Sequence, residues 1–190
     1  MGVLATSLRT SLLIMLVCGL LYSLTMTGIA QLIFPKQANG SLIHNADGVV
    51  IGSELIGQSF VDPAFFQGRV SSIEYKAEGS GTPNYAPSNS DMLDRVKQSI
   101  ADWSANNPDV PVSELPIDLI SNSGSGLDPD ISPEAALAQV PRISQLTGID
   151  QQQITALVDE HTKPRELGFL GEPTVNVLML NIALQQLQAK

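Results

Sequence analysis

From Leu12 to Phe34 the chain reads LLIMLVCGLLYSLTMTGIAQLIF, 23 residues without Asp, Glu, Lys or Arg. At ~1.5 Å of rise per residue such a helix covers about 34 Å, and the hydrocarbon core of a bilayer is ~30 Å thick. The stretch therefore predicts one membrane-spanning helix with some tilt. Its polar members are Ser23, Thr25, Thr27 and Gln31. The hydroxyls can return to the helix's own carbonyls, and Gln31 lies near one end. A cleavable signal peptide is the rival reading, and Gly28-Ile29-Ala30 could serve as its cut site. Signal peptides, however, carry an apolar region of about 7–15 residues, and this run continues past Ala30 to Phe34. Val17 precedes Cys18 where an acylated cysteine needs a small neighbour, so Cys18 reads as a small apolar residue within the span.

Charge sets the orientation. The whole chain has 10 basic and 19 acidic residues, and Arg9 is the only charged side chain among the first 34. Arg9 and the start amine favour a cytoplasmic N-terminus, and long domains cross the membrane largely regardless of charge. The remainder then lies outside the cytoplasm with nine basic and 19 acidic residues, a net of −10. Such a domain lacks the basic footprint of a nucleic-acid binder and is poorly suited to anionic lipid. Clustered acidic charge attracts cations, but it also serves plain solubility. Beyond Cys18 there is no cysteine, and His44 and His161 stand far apart, so neither a disulfide framework nor a thiolate or histidine metal site is encoded. About 155 residues suffice for one domain with a real core.

These readings predict one N-terminal transmembrane helix plus a single extracytoplasmic α+β domain, a small sheet with three to four helices. Residues 1–11 form a short cytoplasmic N-terminus, 12–34 the span, 35–48 a connector and 49–190 the soluble domain. Val49-Val50-Ile51 and Leu55-Ile56, around Gly52-Ser53, read as a pair of short strands. Residues 58–87 form a loop holding Phe60, Phe65, Phe66, Tyr75 and Tyr85, pinned by its aromatics to the domain's own core or to a partner. A helix over 88–106 follows, capped by Ser88, Asn89 or Ser90, with Met92, Val96, Ile100 and Trp103 on one face. Ile117 to Ile120 reads as a buried strand. Ser132 caps a helix that Pro133 opens, Pro141 kinks or divides and Gly148 stops. Asp150 caps the next helix, whose inner face carries Ile154, Leu157, Val158 and His161, and the final helix spans about Thr174 to Gln188.

The loop Ser121–Pro133, sequence SNSGSGLDPDISP, is the most unusual soluble stretch. A strand, a Ser/Gly loop and a capped helix can cradle an anion with backbone N–H groups. No Lys follows the glycines, so the P-loop pattern fails, and Asp128 and Asp130 suit a cation better than a phosphate. A tight turn that simply joins two elements is the third reading and the favoured one. Ser123, Gly124, Ser125, Gly126 and Asp128 are the candidate functional positions. A hydrolase built on Ser123 or Ser125 with His161 lacks any nucleophile-elbow pattern.

Four ordered blocks carry a family resemblance. They are Gly52–Phe60 with Pro63, Phe66, Gly68 and Arg69; Pro87-Ser88-Asn89; Ser123–Pro129 with Ile131-Ser132-Pro133; and Gly168–Pro173 with Val175–Leu178, Leu180 and Asn181. Together with the single span, they resemble the C subunit of the bacterial Kdp potassium-transporting P-type ATPase (KdpC). Val70, Asp130, Thr174 and Met179 depart from the family's usual residues. The resemblance implies a non-catalytic accessory subunit in the bacterial cell membrane, without a cofactor of its own. Its implied partners are a channel-like potassium-translocating subunit, a P-type ATP-hydrolysing subunit and a very small membrane subunit. ATP and the potassium ion are handled by that complex. The family is also described as a catalytic chaperone that raises ATP affinity. A domain outside the membrane cannot share a cytoplasmic ATP site, so assembly and the potassium entrance are favoured over direct ATP contact. Phe60, Phe66, Arg69, Asn176 and Asn181 are the candidate partner contacts. The alternative is a stand-alone, membrane-anchored solute-binding or sensing domain.

Overall fold

A computed structural model describes Gly2 to Ala189 and divides the chain into two compact units, one up to Ser53 and one from Glu54. In the first unit the apolar stretch forms helix α1, Val3–Ile33, with 31 residues and a mean hydropathy of 2.1 over its most apolar window. It is long and apolar enough to cross a membrane, and none of its residues is buried. It starts well before Leu12, because Leu4, Leu8 and their neighbours are good helix formers and Arg9 does not interrupt them. Val17–Tyr22 is wound as a π-helix, and Ser23 Oγ donates to the Cys18 carbonyl at 3.2 Å. Phe34 leaves helical geometry, and Pro35 opens a four-residue helix α2, Pro35–Ala38.

Strands β1, Leu42–His44, and β2, Val50–Ser53, pair antiparallel with Ile43 opposite Gly52. This corrects the sequence reading. The partner of Val50–Ser53 lies upstream, in the expected connector, and Leu55-Ile56 sit in a turn. Turn chemistry decides it. Asn45 Oδ1 accepts from the N–H groups of Asp47 and Val49, at 3.1 and 2.9 Å, and Gly48 takes φ +76°. That turn reverses the chain and pairs what flanks it.

In the second unit β3, Asp130–Ile131, β4, Thr162–Lys163, and β5, Thr174–Asn176, make an antiparallel sheet in the order β3-β5-β4. Four helices besides Ser90–Asn106 (α3) complete it: α4, Pro133–Leu137; α5, Val140–Thr147; α6, Gln151–His161; and α7, Val177–Gln188. The helix after Ser132 is divided just before Pro141, as its ring predicts. Two further expectations fail. Ile117–Leu119 is a 3-10 turn rather than a buried strand, with Ile117 72% exposed. Asp118 turns its carboxylate onto the Ser132 N–H at 2.8 Å, which fixes the segment as a turn. The last helix begins at Val177, because Thr174–Asn176 is claimed by both neighbouring strands.

The core gathers Phe66, Ile131, Val140, Ile143, Ile154, Val158, Val175, Leu180 and Leu184 between the sheet and α4 to α7. Helix α3 is capped by Asn89, whose Oδ1 accepts from the Met92 N–H at 3.0 Å, and buries only Trp103 fully. His161 is half-buried with Nδ1 against the Leu157 carbonyl.

Candidate functional site

The Ser/Gly loop closes on itself. Ser123 is buried, and its Oγ accepts the Gly126 N–H at 2.8 Å. Ser125 Oγ accepts the Leu127 N–H at 3.1 Å, and Asp128 Oδ1 accepts the Asp130 N–H at 3.1 Å. An anion cradle needs such N–H groups free, and here side chains of the same loop take them. The carbonyls are equally committed. Ser125 O accepts from Gly81 N–H and Ser80 Oγ, Gly126 O accepts from Ser71 Oγ at 2.6 Å, and Leu127 O accepts from Gly57 N–H at 2.8 Å. Gly124 and Ser125 remain exposed.

Two glycines make this closure possible. A Cβ on Gly57 would collide with the Asp128 carbonyl oxygen. Gly126 has φ +70°, and a Cβ there would lie 2.8 Å from both the Gly81 carbonyl oxygen and Ile73 Cγ1.

Asp128 also binds Arg69, Nη1 to Oδ2 at 3.0 Å, while Arg69 Nη2 reaches the Asn122 carbonyl at 3.4 Å. Tyr75 donates its hydroxyl to the Arg69 carbonyl. Burial, aided by the negative charge of Asp128, holds the Tyr75 hydroxyl above the ordinary tyrosine range. A cleft of about 500 Å³ runs past Arg69, Asp118, Asp128, Asp130, Ser132 and Glu172. Its four carboxylates each have a donor already: Ser132 N–H on Asp118, Arg69 on Asp128, Asn176 on Asp130 and Arg165 on Glu172. No group of three His, Cys, Asp or Glu suited to a metal occurs among the described residues.

The candidate contact residues fall into two sets. Phe66, Asn176 and Asn181 are buried, 0%, 3% and 2% exposed, and work inside the domain. Asn181 takes the Phe66 N–H at 2.8 Å and returns a bond to its carbonyl at 2.9 Å. Asn176 caps α7 through the Met179 N–H, at 3.1 Å, and donates to the Glu54 carbonyl at 2.9 Å. Phe60 and Arg69 are half-buried, with Phe60 packed on the core.

Two residues that the sequence reading passed over complete this arrangement. Gln139 accepts from the Gln67 N–H at 2.8 Å and donates to the Gln67 carbonyl at 3.1 Å. Arg142 donates Nε to Asn107 Oδ1, Nη2 to Gln139 Oε1, and Nη1 to the Pro63 and Phe65 carbonyls. Three side chains therefore satisfy an extended segment that has no strand partner. Burial pushes the Arg142 guanidinium down to about 10, opposed by Asp62, and it stays protonated at neutral pH. The available signal was a polar residue among apolar ones, Arg142 between Val140 and Ile143 on α5 and Asn181 on α7, with Gln139 at the N-cap of α5.

The family described as K+-transporting ATPase, c chain, matches residues 4–186. The chain belongs to the KdpC family. It is 57% identical to the potassium-transporting ATPase KdpC subunit of Bacillus cereus (strain B4264) over 186 residues, 98% of this chain and 96% of that one. It is 55% identical, with the same coverage, to the like-named subunits of Bacillus cereus (strain Q1) and Bacillus anthracis. The four blocks read from the sequence fall within the matched span and supply the Gly57 and Gly126 contacts, the Asp128 clamp and the Asn181 bracket.

Proposed function

We propose that this chain is the non-catalytic accessory subunit of an ATP-driven potassium uptake complex, needed for its assembly and stability. The observation that carries the reading is the match to potassium-transporting ATPase subunits over 98% of the chain. Its partners are a channel-like potassium-translocating subunit, a P-type ATP-hydrolysing subunit and a small membrane subunit. Helix α1 anchors it once in the bacterial cell membrane, with Arg9 on the cytoplasmic side and the acidic domain outside. The subunit holds no cofactor of its own, and ATP and potassium are handled by its partners. The Ser/Gly loop supports this, since its own side chains take the N–H groups of Gly126, Leu127 and Asp130. Any gain in ATP affinity of the hydrolysing subunit then passes through assembly rather than nucleotide contact. The stand-alone sensing reading is not favoured, because full-length relatives are named as ATPase subunits.

Removal of residues 1–34 tests the anchoring. The truncated chain should leave the membrane fraction and no longer co-purify with the other subunits. A complex that forms normally around the truncated chain would overturn the reading.

A further inference from the structure

Helix α3 presents a polar face to a cavity that no function above uses. Ser99, Asp102, Trp103 and Asn106 share one side of the helix, at spacings of three, one and three residues. With Gln67 and Gln139 opposite, they line a partly enclosed space of about 170 Å³. A helix face turned toward its own domain ordinarily carries apolar residues that fill the gap. Here it carries a hydroxyl, a carboxylate and an amide, and the gap stays open.

The back of the cavity is fixed. Gln139 and Asn107 are buried, and both are bonded to Arg142, through Gln139 Oε1 at 2.7 Å and Asn107 Oδ1 at 2.9 Å. Trp103 is buried beside them, with its indole N–H given to the Val110 carbonyl at 3.3 Å. The groups at the front keep capacity to spare. Asp102 accepts from Gln98 with Oδ1 alone, at 2.8 Å, and Asn106 spends Nδ2 on the Asp102 carbonyl at 2.9 Å and keeps Oδ1. The Ser99 hydroxyl and the Gln67 carboxamide have no hydrogen-bond partner among the described residues. An apolar cavity of ~150 Å³ stays dry and takes a benzene-sized molecule, whereas a polar one takes water or a polar molecule.

Charge narrows the class of occupant. Asp102 is the only ionisable side chain lining the cavity, and the chain beyond Phe34 carries a net of −10, so an anion is repelled. The buried Arg142 guanidinium, bonded to Asn107 and Gln139 at the back, opposes a cation. A neutral molecule remains. Asp102 and Asn106 Oδ1 only accept, while Ser99 and Gln67 both donate and accept. Hydroxyl groups answer both kinds.

We propose that this cavity binds a small neutral polyhydroxylated molecule, up to the size of one sugar ring. Asp102, Asn106, Ser99 and Gln67 take its hydroxyls, and Trp103 forms an apolar wall. The proposal does not depend on the subunit reading, and it excludes a nucleotide on both charge and size.

Trp103 is the only tryptophan of the chain, so its fluorescence reports on this cavity alone. The test titrates the full-length chain in mild detergent with erythritol, D-xylose and D-glucose. Sucrose at matched osmolality is the size control, and phosphate and tetramethylammonium are the charge controls. At least one of the three probes should give a saturable change, and the controls none. Asp102→Ala and Asn106→Ala should keep the unfolding midpoint and each weaken that probe about tenfold. Where an alanine variant shifts the midpoint, Asp102→Asn keeps the shape and should show the same loss. No saturation by any of the three probes leaves a water-filled pocket and overturns the proposal. An equal response to sucrose, saturation by either ion, or unchanged affinity in the folded variants would overturn it as well.

Discussion

Asn181 and Phe66 lie 115 residues apart, and the Asn181 carboxamide takes both backbone hydrogen bonds of Phe66, at 2.8 and 2.9 Å. The amide does the work of a strand neighbour for a segment that pairs with no strand. It ties the first half of the domain to its last helix while the Phe66 ring fills the core.

Asn181→Leu leaves both groups buried and unbonded. Each such orphan costs about 1–3 kcal/mol, so urea unfolding should show a loss of about 2–5 kcal/mol with little change in slope. A loss below about 0.5 kcal/mol would mean that the bracket adds nothing.

Arg142→Lys should destabilise nearly as much as Arg142→Ala, by roughly 3 kcal/mol. An ammonium lacks the planar fork that reaches Asn107, Gln139 and two carbonyls at once. Thermal unfolding of the two variants side by side checks this, and full rescue by Lys would contradict it.

Gly57→Ala drives a methyl into the Asp128 carbonyl and should cost about 2 kcal/mol or more. Gly79→Ala meets nothing within 4 Å and should stay within about 0.5 kcal/mol of the parent. Equal losses would remove the close approach as the cause.

Asp128→Asn tests the loop's role. Losing the Arg69 pair, at side-chain exposures of 25% and 31%, should cost about 1 kcal/mol after solvent screening. The loss should be the same in potassium and choline salts. A loss confined to potassium would mark Asp128 as a cation ligand.

Tyr75 gives a pH signature. Its folded pKa lies above the ordinary value, mainly through burial. The neutral form is thus preferred in the folded domain, and this stability is fully present below about pH 10 and fades as pH rises through the raised value. Tyrosinate absorbance should show a late step for Tyr75, and Tyr75→Phe should remove it.

Much of the fold was legible wherever a residue's local chemistry matched its final place. Asn89, Ser132 and Asp150 cap the helices they were expected to cap, and Pro141 marks the division of a helix. Local signals misled where pairing was decided at a distance. Thr174–Asn176 continues a helical pattern, yet it is the central strand between Asp130–Ile131 and Thr162–Lys163. Val50–Ser53 has apolar neighbours on both sides, and only the Asn45 turn selects Leu42–His44. In the candidate loop the sequence hid what each residue bonds to. Arg69 reaches Asp128 from 59 residues away, a pairing that spacing cannot reveal. Gln139 and Arg142 escaped because a polar residue in a turn or on a short helix ordinarily reads as solvent-facing.

The most direct measurement is affinity purification of the tagged full-length chain from its own membranes, in mild detergent after potassium starvation, with quantitative mass spectrometry of what accompanies it. The account predicts a polytopic channel-like protein and a P-type ATPase in fixed proportion to the chain. Recovery of the chain alone, from membranes that hold both proteins, would contradict it.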